Sequence, residues 1–145
     1  MGRNGKMQVS YEFYRDLVKN DVLKRNEDEN GKKQAIKLNH EIPIIIDSRL
    51  KERGMGIYEG VSFEYLNWEK FWDYDSELEY QNLETMKSVY ERVRSLLEEL
   101  KRNRQEENIL LVTHGGVARA IYWYFNGIDN SSFDCENCKI YKYHL

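Results

Sequence analysis

The segment that most constrains this chain is Ile109-Leu110-Leu111-Val112-Thr113, an uncharged run that ends on His114-Gly115-Gly116. An unbroken apolar run of this length reads as an interior strand of a parallel sheet, because both faces of such a strand are covered. The two glycines permit a tight turn and a close approach of backbone to an anion. The apolar stretch from Val117 to Phe125 then reads as a helix that stops at Asn126-Gly127. A strand passing directly into a helix is the unit of an α/β fold. Ligands of open α/β sheets bind at the carboxyl ends of strands, so His114 stands where chemistry is expected. The helix behind it offers unpaired amides and the positive end of its dipole to an anion. A histidine satisfied by neighbouring backbone is the competing reading.

The rest of the chain fits the same alternation. Met7, Val9, Tyr11 and Phe13 alternate with more polar neighbours, a strand-like period of two. The charged stretch 26–33 reads as a loop or a weak helix start, and 32–40, with Ala35, Ile36 and Leu38, as a short helix. Pro43 opens Ile44-Ile45-Ile46, a short β-branched run expected to be a buried strand. Gly54, Gly56 and Gly60 make 49–60 a loop, the kind of segment that often carries function. Residues 62–83 read as an irregular helix and a turn near 73–76, with aromatics that cover the core or line a pocket. Met86, Val89, Tyr90, Val93, Leu96, Leu97 and Leu100 lie on one face of a long amphipathic helix, on which Glu98 faces Arg102. The tail from Cys138 to Leu145 alternates like a final edge strand. The expected architecture is a three-layer α/β/α sandwich with a mostly parallel sheet, formed by residues 1–145 as a single domain.

Charge excludes some partners. Lys plus Arg is 22 and Asp plus Glu is 25, a net charge of −3. That balance argues against a broad electrostatic grip on nucleic acid or on an anionic membrane, and leaves room for one phosphate held by a few arginines. No apolar run approaches the roughly 18 residues of a membrane span, and the N-terminus lacks a secretory pattern, so a cytoplasmic location is expected. Cys135 and Cys138 are two thiols, too few for a zinc site unless His144 and a further ligand contribute. The expectation is no metal and no cofactor. A small metal or redox module built on Cys135, Cys138 and His144 is the minor alternative.

Leu50-Lys51-Glu52-Arg53-Gly54-Met55-Gly56-Ile57-Tyr58-Glu59-Gly60, together with Leu111-Val112-Thr113-His114-Gly115-Gly116-Val117, resembles the histidine phosphatase superfamily. That superfamily includes the cofactor-dependent phosphoglycerate mutases and broad-specificity phosphatases. Leu83-Glu84-Thr85-Met86 looks like the family's entry to its long helix. The resemblance covers 42–145 and leaves 1–41 divergent. It implies a phosphoglycerate mutase-like sandwich in which a phosphoryl group moves, without a metal, onto the histidine of an Arg-His-Gly motif ending the first strand. By position, His114 is the second histidine, which stabilises the phosphoryl group, and Gly115 lies at the phosphate. Glu52 matches the acid that protonates the leaving oxygen; as a lone residue it reads equally as a solvated loop acid.

The start of the chain departs from the family. No Arg-His-Gly occurs, and the nearest string is Arg3-Asn4-Gly5, with an amide where the nucleophile belongs. That string makes Arg3 a candidate phosphate ligand, and the segment Asp16–Arg25, which looks like the family's second strand and the phosphate-binding arginine after it, makes Arg25 another. The first strand is then missing or replaced, with the Met7–Phe13 segment as a replacement. Its loss would expose unpaired edges and invite association into a homo-oligomer. His40 and His144 stand at no strand end that suits a nucleophile. Two functions follow from the resemblance. One is a phosphatase, favoured over a mutase because the family's mutases tend to be longer, acting on a small phosphorylated metabolite through a phosphohistidine. The other is a pseudoenzyme that binds phosphate, a phosphoester or a protein partner on the same scaffold.

Overall fold

The structure is a computed structural model that describes residues 5–9, 33–35, 42–62, 64, 67–76, 82–103, 108–130, 133, 135, 136 and 139–145. The chain divides into two compact units, Met1–Lys51 with Arg102–Thr113, and Glu52–Lys101 with His114–Leu145.

Among the described residues the first unit holds a four-stranded sheet of order β2-β3-β1-β4, formed by β1 (Gly5–Val9), β2 (Lys33–Ala35), β3 (Ile42–Ile46) and β4 (Asn108–Val112). β1 runs parallel to β3, with Met7 opposite Ile44, and parallel to β4, with Val9 opposite Val112. A strand therefore does stand beside β4, over Gly5–Val9; the part of the expected 7–13 strand beyond Val9 lies outside the described residues. Lys33–Ala35 is a strand antiparallel to β3, where a short helix was expected. Three apolar positions are a weak helical signal, and pairing with β3 overrides it. β4 also departs from expectation. Among the described residues it pairs with β1 alone, and Leu110 is 45% exposed. An apolar run marks a strand without fixing how many neighbours that strand has.

After β3, Asp47 caps a 3-10 turn, Ser48–Leu50, by accepting the Arg49 amide at 2.8 Å and the Arg49 guanidinium at 2.7 Å. Burial alone would raise the Asp47 carboxyl, but the hydrogen bonds and charge of Arg49 outweigh it and hold the pKa below its ordinary value. Thr113 Oγ1, just past β4, donates to the Leu50 carbonyl at 2.8 Å. This bond anchors the residue two places before Glu52.

In the second unit, α1 is Trp68–Trp72, α2 is Met86–Asn103 without its last two residues, and α3 is Gly115–Asn126. Met86, Val89, Val93, Leu96, Leu97 and Leu100 are the buried face of α2, as their spacing predicts. Glu98 accepts a 2.6 Å hydrogen bond from the Tyr124 hydroxyl of α3. That bond, with burial, pushes the Tyr124 pKa up to about 12. α3 buries Val117, Ala120, Ile121 and Trp123 and ends at Gly127, whose φ of 91° favours glycine. The tail 139–145 forms no strand. Tyr143 stacks on Phe125 at 4.5 Å between ring centroids, and Tyr141 leans on Phe133, itself stacked on Tyr122. Aromatic contacts with α3 replace the expected ladder. The same every-second-residue alternation serves both arrangements, so periodicity could not separate them.

Candidate active site

His114 is the N-cap of α3, with extended backbone, and its carbonyl accepts the Ala118 amide at 2.8 Å. Its side chain is mostly covered, and Nδ1 lies 3.9 Å from Glu52 Oε2. The other Glu52 oxygen accepts the Arg53 amide at 2.8 Å. Gly116 explains how the carboxylate reaches this position. A Cβ on Gly116 would stand 2.9 Å from Glu52 Oε1, 3.5 Å from Arg53 Cβ and 3.6 Å from Trp72 Cζ3. Only glycine leaves that space free. A Cβ on Gly115 would meet nothing within 4 Å, and Gly115 is exposed. The structure thus brings Glu52 and His114 together at the first turn of α3, with Gly115 beside them. Arg3 and Arg25 lie outside the described residues, as do Asn4, His40 and Cys138. His144 is exposed.

Three charged residues that motif reasoning left unassigned frame Glu52. Arg53 is 5% exposed. Its Nε donates to the Glu84 carbonyl at 2.5 Å, its Nη1 donates to the Phe71 carbonyl, and its guanidinium lies 4.3 Å from the Phe71 ring centroid. Burial lowers its pKa to about 10, against the opposing charges of Glu84 and Glu52. Glu84 Oε2 accepts the Gly54 amide at 3.0 Å, and the Glu84 amide donates to the Gly54 carbonyl at 2.9 Å. Arg92 grips both Glu84 oxygens, at 2.8 and 3.1 Å, and its Nη2 also donates to the Glu52 carbonyl at 3.4 Å. Arg119, 7% exposed, has its guanidinium 5.1 Å from the Trp72 centroid and 5.8 Å from that of Trp123. Burial lowers its pKa, with the neighbouring Cys135 opposing.

A carboxylate and an imidazole side by side at a helix N-terminus can hold an anion and move one proton. Among the described residues, no group of three or more His, Cys, Asp or Glu comes together as a metal site. No helix among them is long and apolar enough to cross a membrane.

Solved structures share this fold. Mycobacterial glucosyl-3-phosphoglycerate phosphatase aligns in its native form with a TM-score of 0.53 and 17% identity, covering 87% of this chain and 59% of that one. Its complex with inorganic phosphate gives a TM-score of 0.56 and 18% identity, covering 89% and 62%. The family description "Histidine phosphatase superfamily (branch 1)" matches residues 33–145, and the chain belongs to that superfamily. The match begins at residue 33, ahead of the expected 42. Phosphoserine phosphatase 1 of Hydrogenobacter thermophilus is 26% identical over 113 residues, which cover 72% of this chain and 54% of that protein. The chain spans about half the length of the curated relatives it matches.

Proposed function

We propose that residues 1–145 form one phosphoglycerate mutase-like α/β/α domain that acts as a phosphatase on a small phosphorylated metabolite. The observation that carries this reading is the 3.9 Å approach of Glu52 to His114 at the start of α3. His114 and the Gly115 amide donate hydrogen bonds to phosphoryl oxygens, and Arg25 and Arg3 neutralise their charge. Negative charge is spread over those oxygens during transfer, so fixed donors stabilise the complex most there. Glu52 gives its proton to the departing alcohol. By the reaction that the resemblance implies, the P–O bond breaks as an N–P bond forms on a nucleophilic histidine, and water then releases phosphate from it; these 145 residues hold no Arg-His-Gly to supply that histidine. The reaction uses no metal and no cofactor. The chain works in the cytoplasm, without nucleic acid or membrane as partner, and self-association covers its open sheet edges. The phosphatase activities named for its relatives support the choice of reaction.

One observation favours a second reading. The 145 residues contain no Arg-His-Gly. On that reading the same site binds phosphate or a phosphoester without turnover. Hydrolysis of p-nitrophenyl phosphate at about pH 6, beside His114→Ala, separates the two. Activity lost in the variant supports the phosphatase. Equal background in both proteins supports the binder, and vanadate affinity then decides the site: affinity unchanged by His114→Ala removes His114 from it.

A further inference from the structure

We infer that Glu84, through its ion pair with Arg92, is the positioning residue that fixes Glu52 for proton transfer. The inference rests on the proposed role of Glu52 and adds what holds that residue in place. Three successive residues of one loop bond to Glu84 or Arg92, Glu52 and Gly54 through the paired side chains and Arg53 through the Glu84 backbone carbonyl. The Glu52 carbonyl accepts from Arg92, the Arg53 side chain donates to the Glu84 carbonyl, and Gly54 exchanges two hydrogen bonds with Glu84, one through each of its backbone groups. Arg92 in turn belongs to α2, whose turns on either side are anchored by buried Val89 and Val93. The pair therefore transfers the rigidity of a packed helix to a loop of irregular backbone.

Glu52 needs such help. Its carboxylate is 41% exposed, accepts the amide of its own neighbour and stands 3.9 Å from His114 Nδ1, beyond hydrogen-bond reach. A side chain so lightly held takes its position from its backbone. A general acid works only within hydrogen-bond reach of the oxygen it protonates, and a shift of about 1 Å costs up to about 100-fold.

Glu84→Ala, Glu84→Gln and Glu52→Gln in the full chain test this. The first reading is the ratio of rates on β-glycerophosphate and p-nitrophenyl phosphate, because only the alkyl ester needs a proton on its leaving oxygen. Glu84→Ala should lower that ratio about tenfold, in the direction of Glu52→Gln. Glu84→Gln should fall between, since its amide oxygen still accepts from Gly54 while the charge facing Arg92 is lost. A residue that merely supports the loop would lower both rates together, and a constant ratio overturns the inference. The second reading needs no turnover. In protein carrying 13C-labelled glutamate, Glu84→Ala should move the Glu52 carboxyl carbon resonance while the amides of Val93 to Leu97 stay protected from exchange. A resonance that stays in place overturns the inference. Absence of turnover in the parent chain counts against the phosphatase reading alone, and the carboxyl signal then decides the role of Glu84.

Discussion

Replacing Gly116 by alanine introduces one methyl group, and the structure says which neighbour must yield. At 3.5 and 3.6 Å, Arg53 Cβ and Trp72 Cζ3 make ordinary contacts with the new carbon. Glu52 Oε1 at 2.9 Å does not. The carboxylate is the far end of a flexible, partly exposed side chain, so it swings away and the backbone stays. That movement gives up the hydrogen bond from the Arg53 amide, worth about 1 kcal/mol, while alanine gains up to about 1 kcal/mol over glycine within a helix. The two nearly cancel, and the thermal midpoint should shift by no more than about 4 °C. The effect on chemistry is not cancelled. Displacing the acid by about 1 Å is enough for a loss of up to about 100-fold on a poor leaving group. Thermal unfolding and the ratio of rates on β-glycerophosphate and p-nitrophenyl phosphate give the two measurements. A stability loss above about 3 kcal/mol would mean that the backbone yields and the carboxylate stays. A ratio unmoved in a stable variant would refute the placement of Glu52 as leaving-group acid.

Tyr124 gives a pH-dependent outcome. Its hydrogen bond to Glu98, with burial, raises its pKa from the ordinary 10.0 to about 12, so the stabilisation is complete below about pH 10 and is lost as pH rises through 12. Tyr124→Phe should therefore flatten the fall of the urea midpoint over that window, and an unaltered slope removes this bond from the account. Gly127 closes α3 at φ 91° with its amide on the Trp123 carbonyl at 2.9 Å. Gly127→Ala should cost about 1–2 kcal/mol in urea denaturation, and a cost under about 0.5 kcal/mol would mean the turn relaxes freely.

What the sequence makes legible here is what local chemistry determines. The stripe from Met86 to Leu100 could be read because a helix must bury one face at its own period, and the interior of α2 follows it at every position except Tyr90, which is half-buried. β4 and α3 could be read in kind, since an apolar run before two glycines has few other uses. Properties that depend on a distant partner escaped. Lys33–Ala35 is a strand because β3 lies beside it, and the tail is held by rings on Phe125 and Phe133. The site divides the same way. Glu52 and His114 stood out through their motifs, and Gly116 was read as room for an anion, whereas the group filling that room is the Glu52 carboxylate. Arg53 and Glu84 lay inside the matched motifs without an assigned role, and Arg92 gave no signal, because much of their contact is with backbone carbonyls and amides, which look alike in any sequence.

The aromatics of 62–83 show the same limit from the other side. Core cover and pocket lining were the two readings, and Phe71 and Trp72 do something more specific. Phe71 is buried with the Arg53 guanidinium over its ring, and Trp72 takes Arg119 at 5.1 Å and Arg53 at 6.0 Å. Two largely desolvated cations would be costly in an aliphatic core. Ring faces offset part of that cost, and the Phe71 carbonyl accepts from Arg53. Trp72 also borders the gap that Gly116 leaves. The aromatic cluster therefore lets the chain keep two buried arginines, one of them next to Glu52 in the chain, where an aliphatic core would have excluded them.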